Sequence, residues 1–190
     1  MRLFISVLFL IFSFQFFSKA DDIKEFEIEG VSIGDSMLQH FTKDEIKSNN
    51  LTADFKDQSI QGLLFQDIDF IINYDAMQFV YFVRNMEIIN ITALTRTGED
   101  INTCEKKKDK VVLDLSEMFL DTERNEDERN HPADVSGKSK VTSTYFYFKN
   151  DDFVAVECEQ WSKSMGHPNV LKVSLRTKVY NSILRKEYDE

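Results

Sequence analysis

The stretch "VTSTYFYFKNDDFVAVECEQW" (Val141–Trp161) decides the fold class. Hydrophobic residues occupy every second position over 154–158, and a period of two is typical of a strand with one buried face. The polar run at 150–152 interrupts the alternation and favours a tight turn, so the stretch predicts an antiparallel hairpin. The same alternation recurs further along the chain. The predicted strands are 141–149, 153–161 and 170–177.

The preceding part of the chain predicts further strands and one long helix. Residues 59–95 form runs rich in Ile, Val, Phe and Tyr that are separated by polar residues, which indicates about two to four antiparallel strands. A helical period follows over about 101–119, with an N-terminal cap expected at Asn102 and Glu105. Cys104 falls on the hydrophobic side of this helix, so it could reach a strand packed beneath.

Short elements are predicted at both ends of the domain. Alternating glutamates and hydrophobic residues predict a half-buried strand at 23–34, and Asp35 or Ser36 is expected to cap a short helix. Residues 179–188 predict another short helix. This order of elements favours an α+β domain, in which a long central helix and short N- and C-terminal helices pack on one face of an antiparallel sheet.

The first twenty residues, "MRLFISVLFLIFSFQFFSKA", have the pattern of a secretory signal peptide. Arg2 precedes a hydrophobic run at 3–17, and small residues stand at Ser18 and Ala20, where a signal peptidase reads the chain. We therefore expect residues 21–190 to form a single mature domain that is periplasmic or secreted. No later stretch of the sequence is hydrophobic enough to suggest a membrane span.

The net charge of the chain indicates which class of partner it can bind. The chain has a net charge of -10, and loss of Arg2 and Lys19 with the signal would leave about twelve net negative charges. Such a field repels nucleic acids and anionic lipids, so an unknown protein or a small ligand is the expected partner.

In an exported chain, Cys104 and Cys158 predict one disulfide, with two buried thiols as the alternative.

A charged stretch, "DTERNEDERNHPADVSGKSK" (Asp121–Lys140), separates the predicted helix from the C-terminal strands. It has almost no hydrophobic residue and contains a proline and a glycine. This composition predicts a mobile acidic surface loop at about 121–140.

The stretch "VSIGDSMLQ" (Val31–Gln39) resembles the first sequence block of the GDSL, or SGNH, serine hydrolases. The resemblance implies a nucleophile at Ser36, which needs a base for its proton and donors for the oxyanion. Asn150 and His167 are the residues that match later blocks, although the glycine and the aspartate of those blocks are missing. Helix capping explains Ser36 without catalysis, and both interpretations stay open at this point.

Aromatic residues concentrate on the predicted C-terminal strands. Tyr145, Tyr147 and Trp161 are candidates for an exposed face that binds a ligand or a partner, and burial of the same strand between a helix and a loop is the alternative. The three histidines of the chain are scattered. We therefore expect neither a metal site nor a cofactor.

Longer stretches resemble a group of small exported proteins from marine alphaproteobacteria that have no assigned activity. The resemblance is carried by "FEIEGVSIGDSMLQHFTKDEIK" (Phe26–Lys47), by "SGKSKVTSTYFYF" (Ser136–Phe148) and by the strands after it, so it covers most of the mature chain. It implies an exported bacterial domain and supplies no catalytic residue. The sequence thus favours a non-catalytic periplasmic binding or envelope-accessory domain, with a GDSL-type serine esterase that uses Ser36 as the alternative.

Overall fold

The computed structural model describes residues 22–51, 55–66 and 70–188, so the predicted signal peptide at 1–20 lies outside the described residues. The described part has the predicted α+β class, with a seven-stranded antiparallel sheet, a two-stranded hairpin and helices. None of its helices is both long and hydrophobic enough to cross a bilayer. The elements in chain order are β1 (Glu27–Ile28), β2 (Val31–Ser32), α1 (Met37–His40), α2 (Lys43–Ser48), β3 (Ile60–Gln66), β4 (Ala76–Phe82), β5 (Ile88–Gly98), α3 (Ile101–Met118), β6 (Glu123–Asn130), β7 (Lys140–Tyr147), β8 (Phe153–Gln160), β9 (Asn169–Arg176) and α4 (Lys178–Tyr188).

The large sheet consists of two meanders that meet near its centre. The strand order is β3-β4-β5-β9-β8-β7-β6, and all neighbours are antiparallel. β9 ends the second meander by pairing with β5 of the first. α3 connects the meanders, and its 18 residues rise about 27 Å. This length is enough to cross the strand spacings between β5 and β6, about 19 Å in all.

α3 packs on one face of the sheet, which we call the first face. Cys104, Val112 and Leu115 of the helix are buried against β5, β8 and β9. The alternation predicted over 154–158 is confirmed, because its hydrophobic positions are buried on this face. The disulfide is confirmed as well: Cys104 and Cys158 are bonded, with their Cα atoms 5.9 Å apart. The alternative of two free thiols is therefore wrong.

α4 packs on the opposite side of the sheet, which we call the second face. Tyr180 and Ile183 contact a hydrophobic cluster that contains Val80 and Ile89, whereas Phe79 belongs to the core of the first face. α4 covers β3, β4 and β5 in this way. The sequence predicts all helices on one face, and the C-terminal helix differs from that expectation.

The N-terminal segment folds as a hairpin where a single half-buried strand is predicted at 23–34. Glu29 and Gly30 form its turn with φ values of 52° and 77°, and positive φ at both central residues is the requirement of a two-residue hairpin turn. The prediction of one strand is wrong because this turn reverses the chain between β1 and β2.

One of two predicted helix caps is formed by the predicted residue, and the other is formed by a different residue. Ser36 caps α1 as predicted, since its Oγ accepts a hydrogen bond from the Leu38 amide at 3.4 Å. The predicted cap of α3 at Asn102 and Glu105 is wrong. Asp100 holds that position, and its Oδ1 accepts from the Asn102 amide at 3.0 Å.

The predicted mobile loop at about 121–140 is wrong over its first part. Residues 123–130 form β6, which pairs with β7 without a break in register and lies at the edge of the sheet. All eight of its residues are exposed. A strand with solvent on both faces has no buried positions, so its sequence shows no hydrophobic alternation. Only 131–139 connects β6 and β7 as an irregular segment.

Candidate ligand-binding site

The residues of the hydrolase interpretation do not converge. Asn150 lies in the turn between β7 and β8, where its side chain bonds to Asp152. His167 lies in the connection between β8 and β9. These positions are at opposite ends of β8, and a strand of that length separates them by roughly 25 Å. Ser36 is a helix cap in another part of the chain, and the histidine near it, His40, bonds to Asp35 at 2.9 Å.

The predicted aromatic face divides into two separate places. Tyr145 and Tyr147 lie side by side on the second face, with ring centroids 6.0 Å apart, and both contact Phe153. Trp161 follows the far end of β8 and contacts two histidines instead. The tyrosines and the tryptophan therefore cannot bind one small molecule together.

A buried carboxylate lies between these aromatic groups on the second face. The side chain of Glu157 is 4% exposed and accepts hydrogen bonds from Arg176 at 2.6 Å, from Arg129 at 3.1 Å and from Ser143 at 3.2 Å. Burial acts to raise the pKa of the Glu157 carboxyl, but the two arginines outweigh it and hold the pKa below its ordinary value of 4.5. The alternation of β8 places Glu157 at a polar position, so the sequence alone indicates a solvated side chain and misses this centre.

A cavity of about 430 Å³ opens beside Trp161. Its walls come from the end of β5 and from the connection between β8 and β9. Glu99 and Lys163 contribute opposite charges to these walls, and His167 contributes an imidazole. The sequence points to Trp161 only as part of a larger aromatic set, because the cavity depends on where β5 and β9 end relative to each other.

Asn169 fixes the two walls of this cavity relative to each other. The residue is 2% exposed. Its Oδ1 accepts from the Trp161 amide at 3.0 Å, and its Nδ2 donates to the Glu99 carbonyl at 3.0 Å. Because both ends of the side chain are used, the separation between the walls is set by a buried group.

Two histidines contact the ring of Trp161. His131 lies 3.9 Å away between ring centroids, and His167 lies 4.9 Å away in an edge-on arrangement. Nδ1 of His131 accepts a hydrogen bond from the Ala133 amide at 3.2 Å. Neutral His131 therefore carries its proton on Nε2, which faces Glu159 at 3.6 Å.

A buried aspartate joins the two loops that carry these rings. Oδ2 of Asp134 accepts from the amide and the hydroxyl of Ser139 and from the hydroxyl of Ser162. The Ser162 amide donates in turn to Ser139 Oγ at 2.9 Å. Hydrogen bonds from Ser136, Ser139 and Ser162 hold the pKa of the Asp134 carboxyl far below its ordinary value. The segment 131–139 is thereby attached to the connection that carries Trp161.

No protein-family model, curated protein or solved structure matches this chain. The residues that the structure describes contain no group of three or more His, Cys, Asp or Glu side chains placed to hold a metal ion.

Proposed function

We propose that this protein is an exported, non-catalytic binding domain that takes a small neutral ring bearing hydroxyl groups, such as a saccharide, in the cavity beside Trp161. The observation that carries the proposal is the fixed position of Trp161, which stands in the wall of a cavity of about 430 Å³. Cavities of roughly 300–1,000 Å³ are typical of small-molecule sites. Asn169 and Asp134 support the proposal, because they hold the walls before any ligand arrives.

The chemistry of the walls favours a neutral polar ring. An indole offers a flat hydrophobic surface to the C–H groups of such a ring. Glu99 accepts hydrogen bonds and Lys163 donates them, so hydroxyl groups find both kinds of partner while the two charges offset each other. An anionic ligand is disfavoured by the net charge of -10.

Export is part of the same proposal. It is supported by the signal-like first twenty residues and by the Cys104–Cys158 bond, since disulfides persist in oxidising compartments. Expression in a Gram-negative host followed by fractionation and mass spectrometry tests this. We expect a periplasmic or secreted protein that begins at Asp21. A cytoplasmic protein that keeps Met1–Ala20 would contradict export.

Ligand binding can be measured by isothermal titration calorimetry with glucose, galactose, N-acetylglucosamine and maltose. Trp161→Ala removes the flat wall and should weaken the affinity for the bound sugar by at least about tenfold. Trp161→Phe keeps a smaller flat ring and should give an intermediate affinity. Tyr147→Ala is the matched control, because this aromatic residue ends β7 and pairs with Phe153 at the start of β8, a strand length away from Trp161. Equal affinity in wild type and Trp161→Ala, or no binding of any sugar, would reject the saccharide proposal.

A fluorophosphonate probe separates binding from the esterase alternative. Wild type and Ser36→Ala are treated side by side, and labelled peptides are mapped by mass spectrometry. We expect no labelling in either protein, because Ser36 caps α1 and is not joined by Asn150 and His167. Labelling that is confined to wild-type Ser36 would overturn the non-catalytic proposal.

A further inference from the structure

β6 presents a long free edge. It is the outermost strand of the seven-stranded sheet, and no other strand of the described residues pairs with its outer side. Proteins usually shorten, bulge, cover or charge such an edge. β6 is charged, but it is not shortened, bulged or covered by another described element, and it runs in unbroken register with β7 over 123–130. Its unpaired backbone groups are therefore available in a regular row.

The hydrogen bonds at the ends of β7 show which backbone groups of β6 point outward. The amide of His131 donates to the Ser139 carbonyl across from β7, and the amide of Phe148 donates to the Asp152 carbonyl on the β8 side. Because these directions alternate along a strand, odd-numbered residues of β6 bond to β7. The N–H and C=O groups of the even-numbered residues, from Arg124 to Asn130, point to the free edge.

This alternation restricts how two copies of β6 could pair. In an antiparallel pair the outward-pointing residues must lie opposite each other, so the symmetric registers that pair the most residues are centred on Glu126 or on Asp127. Centring on Asp127 places it opposite its own copy and places Glu126 opposite Glu128, which brings like charges together.

Centring on Glu126 has the opposite result. Arg124 then lies across from Glu128 of the second copy, and Glu123 lies across from Arg129 of the second copy. Two-fold symmetry repeats both pairs. Glu126 meets its own copy, but each Glu126 already contacts Arg124 of its own strand. Shorter registers provide fewer opposite-charge pairs, so the charges of β6 complement each other best in this arrangement.

We propose that β6 is a self-association edge, at which a second copy of this chain pairs antiparallel in the register centred on Glu126. The partner is a second copy because the charge pattern of β6 is complementary to its own reverse. This inference is independent of the ligand proposed for the Trp161 cavity. Pairing of one strand buries less surface than a permanent dimer interface, so we expect weak association, measurable between about 10 and 500 µM.

Sedimentation velocity on the purified protein tests the register with charge reversals. Arg124→Glu alone and Glu128→Arg alone each place like charges across the symmetric pair, and each should weaken the dimer about 100-fold. An equimolar mixture of the two variants restores opposite charges at both positions and should dimerise like wild type. Glu126→Gln removes the one like-charge contact and should strengthen association.

Glu117→Arg is the matched control for Glu128→Arg, because it makes the same charge change at an exposed position on α3. It should leave the dimer unchanged. A protein that stays monomeric over the whole concentration range would overturn the proposal. So would a dimer that Arg124→Glu and Glu128→Arg leave intact, or a mixture that associates no better than either variant alone.

Discussion

Replacing Glu157 by glutamine removes the charge at the centre of the second face while keeping the size of the side chain. The carboxylate is 4% exposed and accepts from Arg176, Arg129 and Ser143. Glutamine keeps one acceptor and turns an NH₂ group toward one arginine, so at least one charged hydrogen bond is lost. Removing one partner of a fully buried pair costs about 3–5 kcal/mol. Since the arginine side chains are 21% and 42% exposed, water compensates in part, and we expect a loss of about 2 kcal/mol.

The effect should depend on pH in a defined direction. The pKa of Glu157 in the folded protein lies below its ordinary value of 4.5. The stabilisation by the carboxylate is therefore complete above that value and is lost as the pH falls through the folded-state pKa. The difference in free energy of unfolding between wild type and Glu157→Gln should accordingly be larger at pH 7 than at acidic pH.

Urea unfolding at pH 7 and at acidic pH measures the cost of Glu157→Gln and its pH dependence. Unfolding is followed by far-UV circular dichroism and by the fluorescence of the single tryptophan, Trp161. Asp151→Asn is the control, because Asp151 contacts Lys178 while their side chains are 69% and 61% exposed. This change should cost less than about 0.5 kcal/mol. If Glu157→Gln costs no more than the control at pH 7, the carboxylate does not organise this face. An equal cost at acidic pH would show that the loss comes from shape rather than charge.

Two further predictions concern the disulfide and the first helix cap. Reduction of Cys104–Cys158, which spans 54 residues, should lower the free energy of unfolding by about 4 kcal/mol in the chain-entropy model; equal urea midpoints with and without a phosphine reductant would contradict this. Ser36→Ala should cost about 1 kcal/mol because the Leu38 amide loses its acceptor, whereas Ser36→Asp keeps an acceptor and should cost less. The reverse order in urea unfolding would show that the cap does not account for Ser36.

The second meander and the disulfide follow from the sequence because a strand that turns one face to the main hydrophobic core leaves a period of two in its residues. The hydrophobic positions over 154–158 identify the buried face, and Cys104 falls on the hydrophobic side of the predicted helix. The period of two is a local signal, and the disulfide depends only on the pairing of the two cysteines in the chain. β6 leaves no such period, since solvent surrounds both of its faces.

Neither the charged centre around Glu157 nor the Trp161 cavity could be predicted from the sequence, for a different reason. Arg129, Glu157 and Arg176 come from separate strands, and only the order β6-β7-β8-β9 brings them together. Trp161 and Glu99 meet because β9 pairs with β5, a contact between the two meanders. Pattern within a segment specifies which face is buried, whereas these contacts depend on the pairing of distant segments.

The short length of α4 explains why one half of the second face has a charged centre instead of a covering helix. α4 has 11 residues and rises about 16 Å, which spans about three strands at their usual spacing. It covers the first meander on the second face, and the described residues place no other helix over β7 and β8 on that face. Side chains of the sheet itself must then shield the backbone there. The buried Glu157 carboxylate fills this layer, and the partly exposed side chains of Arg129 and Arg176 present charge to water.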